Sequence, residues 1–146
     1  MSDVRSKGWP APPSRREPAT PAAEPGIPAE RMAAYRAGAR RREETRARDL
    51  ALRREQAWRL ARLAAETLRT DFGAGRIVAF GSLLHAEQFH ERSDVDLAVW
   101  GVPESEYFLA LGRLLGLDPL FSVDLVRVED APPRLLAAIR GEGVDL

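Results

Sequence analysis

The feature that most constrains this chain is a spacing: Phe80-Gly81-Ser82, eleven further residues, then Asp94-Val95-Asp96-Leu97. In an extended strand successive side chains alternate between faces, so Asp94 and Asp96 share one face while Val95, Leu97 and Val99 take the other. The apolar parity belongs in a core, which leaves the acidic parity as an outward row. Two carboxylates two strand positions apart stand roughly 6.5 Å from each other. At an effective dielectric of about 20 they repel by roughly 2.5 kcal/mol. Such a pair needs a cation. Ser122-Val123-Asp124-Leu125-Val126 repeats the layout of one acid between apolar neighbours, and if it lies beside the first strand with matching faces, Asp124 joins the pair.

Oxygen-only ligation by Asp94, Asp96 and Asp124 suits Mg²⁺ or Mn²⁺, hard cations that bind through a few carboxylates and substrate phosphates. Two such ions about 3.5–4 Å apart can clamp the attacking and leaving oxygens of a displacement at phosphorus. Gly81 lets the backbone come close to a bulky anion. A helical segment starting at Ser82 would turn free N–H groups toward a phosphate, with the Ser82 hydroxyl as a further donor. The bland alternative is a solvent-facing strand with Arg92 as the salt-bridge partner of the aspartates. His85 and His90, the only histidines, could touch nucleotide or metal, or simply be solvated. Trp100 shares the parity of the aspartates and could line a pocket or pack at the strand end.

The pattern around this stretch is α/β. Residues 76–80 form a β-branched and aromatic strand, and residues 82–88 suit a short helical segment. Strands are expected over 94–100 and 121–128, and helices over 104–115 and from Pro132-Pro133 to 141, with residues 144–146 adding a strand residue or two. Residues 29–70 contain no proline and are rich in Ala, Arg, Glu and Leu, the composition of one long helix or of two broken near Gly38. Its apolar seam, Leu50, Ala57, Leu60, Ala61, Ala64 and Leu68, occupies only the second half. Residues 36–48 have no seam and read as a solvated arm. Residues 1–28 hold seven of the eleven prolines and too little apolar surface to offset their ordering entropy, so a disordered tail is expected. The organisation is thus a tail at 1–28, a basic helical segment at 29–70 and an α/β domain at 71–146.

The net charge of zero hides a polarity along the chain: residues 30–70 carry +6 and residues 71–146 carry −7. An acidic domain suits a protein that holds cations, and the basic segment could meet nucleic acid, an acidic partner or its own domain. Nucleic-acid binding through Arg40, Arg41, Arg42, Arg46 and Arg48 is disfavoured, because Glu43, Glu44 and Asp49 interrupt the run and no aromatic residue interleaves with it. With no cysteine, a thiolate metal site is excluded and a reducing compartment fits. No apolar run reaches the roughly 20 residues of a membrane span. The chain reads as cytoplasmic, with no membrane partner and an open oligomeric state.

The glycine-serine turn, the following Asp94-Val95-Asp96-Leu97 and the later Val123-Asp124-Leu125 resemble the DNA polymerase β-like nucleotidyltransferase superfamily, in its minimal nucleotidyltransferase form. The resemblance implies a small mixed sheet flanked by helices. It implies transfer of a nucleoside monophosphate, AMP first among them, from ATP or another nucleoside triphosphate to an acceptor hydroxyl, with two Mg²⁺ or Mn²⁺ ions. Asp94 and Asp96 would hold both ions, Asp124 would complete the site on the ion that activates the hydroxyl, and Gly81 with Ser82 would hold the triphosphate. Small members pair with HEPN toxins as antitoxins, so a HEPN-like toxin is the implied partner. Where such members continue with Arg-Gly, this chain has His85-Ala86. The alternative is a catalytically weak or inactive module of this fold that acts by docking a partner.

Overall fold

The computed structural model describes residues 10–11 and 26–146; the tail expected at 1–28 lies almost wholly outside them. Helix α1 (Ala29–Phe72) is continuous through Gly38, since one glycine costs a helix interior only about 1 kcal/mol and its neighbours are strong helix formers. The helix stops at Gly73, whose φ of 64° is left-handed. Its N–H and that of Ala74 return to the carbonyls of Arg69 and Leu68, which caps the last turn.

Strand β1 (Arg76–Phe80) follows, then a short 3₁₀ turn (Gly81–Leu84), β2 (Val95–Trp100), α2 (Tyr107–Leu115), β3 (Val123–Arg127), α3 (Pro133–Glu142) and β4 (Val144–Asp145). The sheet order is β3-β2-β1-β4. β1 pairs antiparallel with β2 and β4, while β2 and β3 are parallel. The fold is therefore the expected small mixed sheet flanked by helices. The edges of three elements moved inward, while α1 and α3 run one or two residues past their expected ends. The strand expected from residue 94 starts at Val95, the one expected over 121–128 spans Val123–Arg127, and the helical segment after Gly81 closes at Leu84.

Each face of the sheet has its own core. Ile77, Ala79, Leu97, Val99, Val123 and Leu125 pack against α1 and α2. From α1 this core takes Ala57, Leu60, Ala61, Ala64, Ala65 and Leu68, the small-residue seam that lets a helix approach a sheet closely. On the opposite face Val78 and Ala98 meet Ile139 of α3 and Val128, just past the end of β3, with Leu135, Leu136 and Trp100 around them. Trp100 also lies beneath the Arg76 guanidinium, 4.7 Å from the ring centre, so it packs at the strand end. Arg76 grips Asp145 through two hydrogen bonds of 2.6 and 3.1 Å and ties down the short β4. No helix among the described residues is long and apolar enough to cross a membrane.

Candidate functional site

Register places the acids. Phe80 of β1 faces Asp96 of β2, and Asp96 faces Asp124 of β3, so the three side chains form one row across the sheet. The next row inward is Val78, Ala98 and Val126, and it lies on the face that α3 packs against. The smaller core thus ends where the acids begin. Paired strands run about 4.8 Å apart, which sets Asp96 and Asp124 closer together than two acids on one strand. Asp94 sits one residue before β2, exposed, where the Val95 N–H donates to the Ser122 carbonyl.

Asp96 is only partly exposed, and its carboxyl is pushed up to about 6. Burial is the first cause, followed by the charge of Asp124 and then that of Asp94. Among the described residues no arginine, lysine or histidine forms an ion pair with any of the three aspartates. The salt bridge to Arg92 is absent. Arg127, the cation nearest in sequence to Asp124, spends its guanidinium on the Val102 carbonyl and on Asp130.

The glycine turn roofs this row. Gly81 has φ +77°, and a Cβ placed on it would collide with the Asp96 carboxylate. Glycine is thus required twice, for its left-handed backbone and for the space that the acid occupies. Ser82 is half-buried in the turn. Arg54 of α1 fixes the far end of the turn, its Nε donating to the Leu83 carbonyl at 2.9 Å and Nη2 to the Leu84 carbonyl at 3.1 Å.

On the other side of Asp124 a groove of about 370 Å³ runs between α2 and the start of α3, lined by Tyr107, Phe108, Arg127, Asp130 and Pro132 among others. The Tyr107 hydroxyl donates to the Leu125 carbonyl at 2.7 Å, steadying β3 next to Asp124. Phe108 is 81% exposed.

The model of the family described as Polymerase beta, Nucleotidyltransferase matches residues 64–146, more than half of the chain. The chain belongs to that nucleotidyltransferase family. Among the solved structures similar to it are two of toxin–antitoxin proteins. One, of a mutant of the toxin–antitoxin MntA–HpeT, is 21% identical with a TM-score of 0.49, covering 58% of this chain and 70% of that chain. The other, of a toxin–antitoxin with AMP-PNP, is 24% identical with a TM-score of 0.48, covering 56% and 68%. No curated protein matches the chain.

Within this nucleotidyltransferase fold Asp96 and Asp124 stand side by side in register, with Gly81 over Asp96 and Asp94 one residue before β2. Their donor chemistry fits a hard divalent cation: carboxylate oxygens only, one of them partly desolvated and repelled by its neighbours. Among the described residues, however, no three His, Cys, Asp or Glu side chains are already gathered into a group that could hold a metal ion. The histidines stand elsewhere. His85 faces Glu142 at 3.5 Å and Glu87 at 3.8 Å, and the His90 ring nitrogen accepts the Arg92 N–H within the loop. The supporting groups Arg54, Tyr107 and Phe108 did not figure in the sequence reading of the site. Phe108 and Tyr107 fall in the helix expected over 104–115, but nothing local marks Arg54, which lies 29 residues before Leu83.

Proposed function

We propose that this family member is a metal-dependent nucleotidyltransferase that moves a nucleoside monophosphate, AMP first among the candidates, from a nucleoside triphosphate to an acceptor hydroxyl. The acceptor is a partner toxin of the HEPN type, with this chain as its antitoxin. Residues 71–146 and the packed half of α1 form the transfer domain. The observation that carries the reading is the Asp96–Asp124 pair in register beneath Gly81. The toxin partner is supported by the resemblance to minimal nucleotidyltransferases.

In this reading Asp94 and Asp96 hold both Mg²⁺ or Mn²⁺ ions, and Asp124 completes one of the two sites. When bound, such ions would supply neutralisation of phosphate charge and a lowered pKa for the attacking hydroxyl. Gly81 and Ser82 hold the triphosphate, the glycine through its backbone and the serine through its hydroxyl. Without a cation, burial and the neighbouring acids let Asp96 keep its proton up to about pH 6. The groove beside Asp124, with exposed Phe108, gives the acceptor its approach.

The test is transfer of label from each of the four α-labelled nucleoside triphosphates, with Mg²⁺ or Mn²⁺, to a co-expressed candidate toxin. Label that disappears with Asp96→Ala or Asp124→Ala is expected. Absence of transfer from all four, with both variants matching the parent, overturns the enzyme reading. The second reading, a docking module without activity, is favoured by the absence of a ready three-carboxylate metal group among the described residues. It requires that Asp94→Ala with Asp96→Ala still protect against the toxin as the parent does.

A further inference from the structure

The stripe of α1 that packs on the domain does not stop where the domain does. Residues 29–49 contain no buried side chain, a rod of about 30 Å standing beyond the core. At about 100° of rotation per residue, Met32, Tyr35, Ala39, Arg42, Arg46 and Arg53 fall within about 80° of one another. They share the face that Ala57, Leu60 and Ala64 bury farther along the helix. The packed half sets this stripe against the sheet, and the free half carries it past the domain's edge.

Its chemistry changes along the way. Ala57, Leu60 and Ala64 are apolar, Arg53, Arg46 and Arg42 are cationic, and Ala39, Tyr35 and Met32 are apolar again. The arginines line a cavity of about 590 Å³ that Glu91, on the loop between the glycine turn and Asp94, borders from the domain side. Arg53 is fixed at its inner end. The guanidinium lies 4.2 Å from the centre of the Phe121 ring, Nη2 donates to the Leu120 carbonyl at 3.1 Å, and Nε is buried without an acceptor. Arg46 reaches Glu91 at 3.4 Å, both side chains well exposed. Among the described residues neither Arg42 nor Arg53 forms an ion pair.

We propose that this stripe seats one acidic amphipathic helix of a partner protein, which lies along the free half of α1 in the corner beside Glu91. Its carboxylates meet Arg42, Arg46 and Arg53, and its apolar residues meet Ala39, Tyr35 and Met32. A helix repeats every three to four residues, as the stripe does, so one face of it serves both the arginines and the apolar tip. Carboxylates match the forked donors of arginine, and Arg53, already stacked and anchored, loses little freedom on pairing.

Charge chooses this occupant over the others. Between residues 39 and 53 the stripe holds Arg42, Arg46 and Arg53 against one acid, Asp49, so a second copy of it would be repelled. A nucleic acid would set phosphates against Asp49 and Glu91 in the same cavity. It would also find no aromatic side chain between Arg42 and Arg53 on which to stack its bases. The seat uses no residue of the aspartate row and stands apart from the catalytic reading.

Fluorescence anisotropy with the full chain at about 50 mM salt, where screening is weak, tests the seat. The probe is a labelled synthetic helix of about 25 residues with leucines spaced to face residues 32–39 and glutamates spaced to face residues 42–53. It should bind with a dissociation constant of about 100 μM or tighter, and a scrambled peptide of the same composition about 10-fold more weakly. Arg42→Glu with Arg46→Glu should weaken the probe by about 10-fold or more. A probe with lysine for each glutamate should instead prefer that variant to the parent chain. Both positions are exposed, so the variant should keep the parent's unfolding midpoint. Equal binding of the scrambled peptide, an equal loss from Arg40→Glu with Arg48→Glu, which lie off the stripe, or tighter binding of a single-stranded RNA of about 20 nucleotides each overturns the proposal.

Discussion

Replacing Asp96 by asparagine should stabilise the metal-free protein, and the gain should depend on pH. In the native chain the carboxyl titrates at about 6 instead of near 3.8, so the folded state holds its proton more tightly than the unfolded chain. Stability therefore falls as pH rises between those two values and is flat above them. Fully realised, a displacement of that size corresponds to about 3 kcal/mol. Asp96 is partly exposed to solvent, which screens the repulsion from Asp124 and Asp94, so about 1–1.5 kcal/mol is the expected gain at pH 8. For a chain of this length that is roughly 3–6 °C in Tm. Thermal or urea unfolding in chelator should show the difference between variant and parent shrinking by about half at pH 5 and vanishing below about pH 3.8. Saturating Mg²⁺ should then reverse the order, because only the parent gains from binding. An Asp96→Asn protein equally or less stable than the parent at every pH would refute the argument that this carboxylate is desolvated, repelled and unpaired.

Three other outcomes follow from the supports of the site. Gly81→Ala should cost about 2 kcal/mol or more, from a left-handed backbone and from the collision with Asp96; combining it with Asp96→Ala should recover part of the loss in a double-mutant cycle, and strict additivity would exclude the clash. Arg54→Met keeps the aliphatic stem but loses two charged hydrogen bonds, so about 1.5–3 kcal/mol should disappear; hydrogen exchange should quicken over Gly81–Leu84 while the opposite end of the sheet is unchanged. Tyr107→Phe should cost about 0.5–1.5 kcal/mol for the lost bond to Leu125, read by urea unfolding, and no change in midpoint would mean that water replaces the hydroxyl without penalty.

Local pattern alone was enough for much of this protein. Alternation around Val95, Leu97, Val123 and Leu125 identifies strands whose other face carries Asp94, Asp96 and Asp124, because a strand has no other way to bury its branched residues. Helix propensity and the small-residue seam similarly identify α1 and the half of it that packs. Element ends were less legible. Whether Asp94 belongs to β2 depends on the partner strand that completes its ladder, and that strand is nearly thirty residues away in sequence.

What only the tertiary structure decided is which groups meet. That Asp96 faces Asp124 follows from the parallel pairing of β2 with β3, and that Gly81 must lack a side chain follows from the antiparallel pairing of Phe80 with Asp96. Arg54 reaches the glycine turn only because α1 crosses the sheet beside it. These are contacts between segments far apart in the chain, and a periodicity read along one segment carries no information about them. The sequence by itself determined that three carboxylates share the parity opposite the apolar residues and that a glycine precedes them; the pairing of strands decided that the glycine stands over one of those carboxylates, where its missing side chain leaves room for that carboxylate.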